Sequence, residues 1–350
     1  MPRRASLFGL VCGLLLLVAC QPSGGAPAAP AGSPAAAGGP TAAAKPGLRN
    51  VKLAASRGLV SMPVWNLTQV APKYGLNVEI VFLLTYAEQQ QAVVTGQTDV
   101  GTSGVNNPAI MLANDLHNAR VIAGQVWGGQ NLVMRKGVDL NAWSDLQGKR
   151  IGTAPGTWAR VLFFIAARQH GVDLNRVNLL DITAAGTTEL QALQRGDLDG
   201  FVLFSPTMDR AVVDGYGYYP PCCDIGDVDF GDANSIIIAN TQFLNDQDVA
   251  TNFLKAYVES IDQMRNDEDA FVAIGTQVTG VDAAVAREAY RHMRFGYNID
   301  EKAIVAAARL GPEFGFANAD YSGQVADLLD YGPLMQATGK DRAALSTAVR

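Results

Sequence analysis

Six short segments carry the residue types in this chain that could recognise a small molecule. They read SMPVW at 61–65, TY at 85–86, TSGVNN at 102–107, QVWGGQ at 125–130, PGTW at 155–158 and FS at 204–205. Three of the four tryptophans fall in them, with amides and hydroxyls alongside. Aromatic faces stack on flat rings, and amides and hydroxyls hold such a ring by its polar edges. The candidates are Trp65, Tyr86, Ser103, Asn106, Trp127, Thr157, Trp158, Phe204 and Ser205. Each has an ordinary alternative. Trp65 could face the core from its helix, and Asn106 and Asn107 could simply form the turn ahead of Pro108. Trp143 lies outside these segments and is expected to pack. A small strong anion would call instead for arginine forks or helix N-termini with little aromatic lining. Arg57 and Arg160 are the residues that could serve one.

Bond-making chemistry finds little support. The chain has no phosphate-cradling lysine loop, no G-x-S-x-G and no H-E-x-x-H. His117, His170 and His292 are scattered without ligand spacing, and His170, just before Gly171, reads as a helix C-terminal partner. Cys222 and Cys223 are adjacent. A disulfide ring between neighbours is strained, and two thiols without further Cys or His make a poor metal site. Two small buried hydrophobes are expected there. No cofactor and no metal is expected, and the chain reads as a binder, not an enzyme.

The recognition segments must be held by a scaffold, and the sequence outlines one. Strand-like runs over 51–55, 78–83, 150–153, 177–180 and 200–204, with a short one starting at Val100, alternate with helical runs over 64–74, 89–95, 158–170 and 188–195. That order implies α/β layers with a largely parallel sheet. After Asn240 the pattern turns helical, over 243–266, 267–276, 282–294 and 304–310. The decapeptide QAVVTGQTDV at 91–100 recurs as QALQRGDLDG at 191–200, with Gln, Ala, Gly and Asp in step. Each copy sits at the same point of its own strand–helix series, which predicts two similar lobes. In open parallel sheets, ligands sit beyond the carboxyl ends of strands, where the six segments fall.

The N-terminus has its own logic. Arg3 and Arg4 precede an apolar run over 7–19, too short to span a bilayer, which ends in LVAC at 17–20. This resembles the export signal of a bacterial lipoprotein, with Cys20 as the lipid acceptor and residues 1–20 as the signal. Two or three acyl chains would anchor it lastingly, at about 0.8 kcal/mol per buried methylene. Residues 21–46 are almost all Ala, Gly, Pro and Ser, a linker with a mean span of about 28 Å. The formal charge is −6, with no basic run, which argues against nucleic acid. The expected location is the outer face of the cell membrane, held by lipid.

The segments MPVW at 62–65, KYGLNVE at 73–79, GQTDVG at 96–101, DLQGKRIG at 145–152, GDLDG at 196–200 and FSP at 204–206 together resemble a known family. It is the type II periplasmic substrate-binding proteins of ABC importers, in the branch that serves nitrate, sulfonates, taurine, thiamine-pyrimidine precursors and riboflavin. The resemblance runs from about 50 to 325. It implies an α/β, two-lobed type II fold with a two-strand hinge, here 131–135 and 235–239. It places lobe 1 at 47–135 and 240–350, and lobe 2 at 136–239. It further implies a small-molecule ligand captured by lobe closure, and an ABC permease with its ATPase as partners. Within that branch the aromatic and amide lining suits riboflavin or a related heterocycle first. A thiamine-pyrimidine precursor, a sulfonate or nitrate are alternatives. A ligand-sensing module, or an enzyme like the fungal pyrimidine synthases with the same fold, is the rival class. Most of the cysteine-rich iron motif of those synthases is absent. Replacing Cys20 with Ser should move the protein from the membrane pellet to the soluble fraction on cell fractionation. Continued sedimentation would mean another anchor.

Overall fold

The computed structural model describes residues 47–183 and 186–349. Cys20, the signal and the linker over 21–46 lie outside the described residues. Among the described residues, no helix is long and apolar enough to cross a membrane.

Eleven strands are described: β1 (Arg49–Ala55), β2 (Leu76–Phe82), β3 (Val100–Gly104), β4 (Ala119–Gly128), β5 (Gln130–Arg135), β6 (Arg150–Thr153), β7 (Asn178–Asp181), β8 (Gly200–Phe204), β9 (Gly217–Tyr218), β10 (Ala233–Asn240) and β11 (Met293–Phe295). They form two sheets, ordered β11-β4-β10-β3-β1-β2 and β7-β6-β8-β5-β9. Helices cover both, which gives the expected α/β two-lobed architecture. The sheets are mixed, not largely parallel. β1 runs parallel to β2 and β3, and β6 parallel to β7 and β8. β10 and β5, however, run antiparallel to their neighbours. The cause is topological. Each of these strands has just arrived from the other lobe, so it enters its sheet from the cleft end.

The chain leaves the six-stranded sheet at Gly128–Gly129 and returns through the segment ahead of β10. The expected hinge strands therefore lie inside sheets. β5 pairs with β8 in the five-stranded sheet, and β10 with β3 and β4 in the other. The crossing sits at the glycine pair because β4 and β5 are nearly continuous and need a bend that a side chain would block. Gly128 has φ +74°, and a Cβ there would meet the His292 carbonyl oxygen at 2.2 Å.

The repeated decapeptide proves to be one structural unit used twice. The helices Tyr86–Val94 and Thr187–Arg195 are followed by Gly96 and Gly196, both in the left-handed region at φ +74° and +80°. The backbone N–H groups of Gln97 and Asp197 then donate to the Ala92 and Ala192 carbonyls, each at 2.9 Å. Asp99 accepts from the Lys52 N–H at 2.8 Å, and Asp199 from the Arg150 N–H at 2.9 Å. Asp99 thus fastens β1 to β3, and Asp199 fastens β6 to β8. In the second lobe the Arg150 guanidinium adds a bidentate grip on Asp199 at 2.8 and 3.1 Å.

Several element bounds differ from the sequence pattern for local reasons. The helix over 64–74 starts at Met62 and tightens to 3-10 geometry at Ala71–Tyr74, where Pro72 lacks the donor an α-turn needs. The helix over 243–266 is two, because Asp246 caps a new start through the Val249 N–H at 3.3 Å. The helix over 282–294 ends at Arg291, and the residues after it form β11, which pairs with β4.

The core follows strand periodicity. β10 is buried along its whole length, as a central strand covered on both faces must be. In the second lobe, Val133, Phe201 and Leu203 face a small cluster with Leu193, Met208 and Ala211, while Leu132, Met134 and Val202 face the main core. Asp199 should be worth more than its helix-end position suggests. Its carboxyl is held below the usual carboxylate range, chiefly by the Arg150 hydrogen bonds. A depressed pKa contributes stability above the unfolded value of about 3.9 that is lost as pH falls through the folded one. Asp199→Asn should cost about 1–3 kcal/mol at pH 7 by urea denaturation. The gap to wild type should close as the pH is taken below the carboxylate range.

Candidate ligand-binding cleft

A cleft of about 700 Å³ opens between the lobes, at the carboxyl ends of β1, β2, β3, β6 and β8. The first lobe contributes the turn after β1 (Ser56, Arg57, Gly58, Val60), the end of β2 with the following helix start (Phe82, Leu84, Thr85, Tyr86), and the stretch after β3 (Asn106, Asn107, Ile110). The second lobe adds the turn 155–158 and the end of β8, with Phe204 and Ser205. Asn234, on the returning strand β10, completes it.

Local sequence explains how these side chains are held. Thr85 and Glu88 form a reciprocal capping box, with bonds of 3.2 Å and 2.8 Å, which starts the helix at Tyr86 and presents that residue to the cleft. Thr157 caps the helix Trp158–Gln169 through the Arg160 N–H at 3.4 Å. Trp158 is the first helical residue, 5 % exposed, and its indole N–H donates to the Ala233 carbonyl at 2.9 Å. The Ser205 N–H donates to the Gly129 carbonyl at 3.0 Å, tying the end of β8 to the crossing. Asn106 is 8 % exposed and stands at the start of the helix Asn107–Ala113, yet its side chain makes no capping bond. Its amide is left for the cleft.

The electrostatics are simple. Among the described residues, no carboxylate lines the cleft, and Arg57 is its one cation. The Arg57 guanidinium lies 4.9 Å from the centre of the Phe82 ring, a stacking contact that parks it against the wall. Burial pushes the Tyr86 hydroxyl up to about 12, with the Ser235 hydroxyl acting in the opposite sense. Tyr86 is therefore a neutral donor at any physiological pH. Phe82 and Leu84 are 45 % and 72 % exposed, which leaves an apolar face open toward the solvent.

Of the nine candidates, the structure brings Tyr86, Asn106, Thr157, Trp158, Phe204 and Ser205 to this cleft. The other three lie elsewhere. The Trp65 indole N–H donates to the Ser56 carbonyl at 2.8 Å, and the ring packs on the core. Ser103 is fully buried inside β3, opposite Ile236. Trp127 is 2 % exposed and donates to Asp300 at 2.9 Å. Two of these corrections share a cause. Trp127 and Ser103 sit within central strands, and a strand covered on both faces buries every side chain. Arg160 is taken by Asp181 at 2.5 Å and lies outside the cleft lining. Trp143 packs, as expected, against His170 with ring centres 5.1 Å apart. The His170 Nε2 also lies 3.3 Å from Asp227. The cysteine pair departs from expectation, since Cys222 and Cys223 are joined in a disulfide.

Sequence reasoning missed Val60, Phe82, Leu84, Ile110 and Asn234. Phe82 and Leu84 were within reach of the rule that ligands meet strand carboxyl ends, but an aliphatic run there reads as core. Asn234 gave no signal, because its place depends on the chain returning from the other lobe.

Comparison with known proteins places this arrangement. Residues 72–270, more than half of the chain, match the family model described as NMT1/THI5 like. A putative ABC transporter periplasmic binding protein of Brachyspira hyodysenteriae is 26% identical over 235 residues, 62% of this chain and 66% of that protein. The match thus spans just under two thirds of that relative. The periplasmic aliphatic sulphonate-binding protein SsuA of Escherichia coli superposes with a TM-score of 0.67 at 15% identity, over 81% of this chain and 92% of its own. The periplasmic nitrate-binding protein NrtA of Synechocystis PCC 6803 gives a TM-score of 0.67 at 12% identity, over 83% and 89%. At those identities the two structures speak for the fold. With the two sheets, the interlobe cleft and the family match in agreement, this chain belongs to the NMT1/THI5-like family and has the periplasmic binding protein fold.

Proposed function

We propose that this protein is the extracytoplasmic solute-binding component of an ABC importer, held to the membrane by lipid on Cys20. In this reading it captures an organic solute with a flat apolar body, with riboflavin first among the candidates. One observation carries it: aromatic and aliphatic side chains of both lobes, with the amides of Asn106, Asn107 and Asn234, line one cleft of about 700 Å³. Volume and lining suit a ring system with polar edges. A solute touching both lobes favours the shut form over the open one, and the shut surface is what a permease with its ATPase would read.

A second reading rests on Arg57. A single cation in a cleft where the described residues place no carboxylate would suit one anionic group on an otherwise apolar molecule. An organic sulfonate fits that description, and a sulphonate-binding protein is among the fold neighbours. Nitrate fits poorly, because the wide apolar walls would have nothing to cover. Sedimentation of a permease with the protein in a pull-down would separate transport from sensing.

Riboflavin fluorescence should quench on titration with purified protein, and Trp158→Ala should weaken that binding at least tenfold, about 1.4 kcal/mol. Unchanged affinity in a folded variant would remove Trp158 from the site. Hexanesulfonate in a thermal-shift assay tests the second reading. If it stabilises the protein and Arg57→Ala abolishes the effect while riboflavin stays inert, the solute is an organic anion.

A further inference from the structure

Two helices, one from each lobe, are rooted beside the crossing strands and meet at their far ends. In the second lobe, the helix Trp158–Gln169 is fixed at its start by the Trp158 bond to the Ala233 carbonyl, 2.9 Å long. In the first lobe, the helix Glu301–Phe314 packs on the helix Asn107–Ala113. It is fixed at its start by Asp300, which accepts from the Ala303 N–H at 3.1 Å and from the Trp127 indole at 2.9 Å, next to the Gly128 crossing. Arg168 lies about 15 Å along the first helix, and Glu313 about 18 Å along the second.

At those far ends the lobes touch. Arg168 forms an ion pair with Glu313, and its guanidinium lies 5.9 Å from the centre of the Phe314 ring. Phe164 meets Phe314 edge-on, with ring centres 6.0 Å apart. These residues border a groove of about 260 Å³ that shares the turn 155–157 with the cleft. Leverage matters here. A lobe rotation of about 15° about the crossing moves a point about 15 Å away by roughly 4 Å. That is more than an ion pair or a ring contact tolerates, so a rotation of that size would break this contact. Contacts near the crossing, such as Trp158 to Ala233, would move far less.

We propose that Arg168, Glu313, Phe164 and Phe314 form a clasp that holds the lobes shut over the cleft. An exposed ion pair is weak alone, and the aromatic contact behind it gives the clasp its grip. The proposal rests on the reading of the cleft as a closing solute site, but not on which solute it takes. The test needs no solute. Spin labels carried on noncanonical residues at the exposed positions Gln324 and Asn175, one per lobe, report the interlobe distance in the full-length chain in mild detergent. Wild type should show a short-distance population even without solute. Arg168→Glu and Glu313→Arg, each placing like charges together, should lengthen it by about 4 Å, by the lever estimate above. The combined R168E/E313R exchange should restore the short distance, and Phe314→Ala should lengthen it without altering any charge. The clasp is refuted if the single charge reversals and Phe314→Ala all keep the wild-type distance, or if the exchange fails to restore it. A failure of riboflavin binding would leave these distances unchanged.

Discussion

The rest of this structure depends on a close approach at Gly128. β4 must pass its chain to β5 in the other sheet within two residues, and the His292 carbonyl stands where any side chain would go. The same carbonyl accepts from the Gly129 N–H at 2.8 Å, so β11 is stitched to the crossing it crowds. The returning segment is held there too, since the Tyr219 ring lies 4.1 Å from the His292 ring and the Tyr219 hydroxyl donates to the buried Asp209 at 2.6 Å. Both passages between lobes are thereby confined to one place. Two compact sheets joined at one edge can move against each other in few ways, and the gap they leave is the cleft.

The duplicated unit explains why the cleft is two-sided. In each lobe a helix stops at a left-handed glycine, and an aspartate then clamps the next strand to a parallel neighbour, β3 to β1 and β8 to β6. The strands so introduced, β3 and β8, both end at the gap. Asn106 follows one and Phe204 closes the other. The two copies are not equal in strength. Asp199 faces two guanidinium groups, with Arg135 at 3.6 Å beside Arg150 at 2.8 Å, whereas Asp99 clamps through the Lys52 backbone.

The chemistry of the cleft follows from what each lobe leaves uncovered. Polar groups near its floor are anchored by the fold through one N–H each. Asn234 donates to the Gly128 carbonyl at 2.8 Å, and Asn107 reaches the Tyr86 carbonyl at 3.5 Å. Asn106 and Arg57 are held differently, one uncapped and one resting on a ring. The walls between them are aromatic and aliphatic. Such a lining would give a bound molecule affinity through apolar area and leave a few polar groups to set its orientation.

The sequence by itself determined the α/β order, the repeat with its glycine caps, and six of the residues that line the cleft. All of these are local matters. Periodicity, capping pairs such as Thr85 with Glu88, and the position of a residue at a strand's carboxyl end are written within a few neighbours. Tertiary structure alone decided which aromatic residues are walls and which are core. Trp127 and Trp158 have similar flanks of glycine and polar residues, yet one lies inside a central strand and the other opens a helix. It also decided that β5 and β10 exchange the lobes assigned to them, and that Asn234 arrives in the cleft from the far side of the chain. These outcomes depend on contacts between residues distant in the chain, such as Trp158 with Ala233 and Trp127 with Asp300, and a pattern read along the chain carries no record of them.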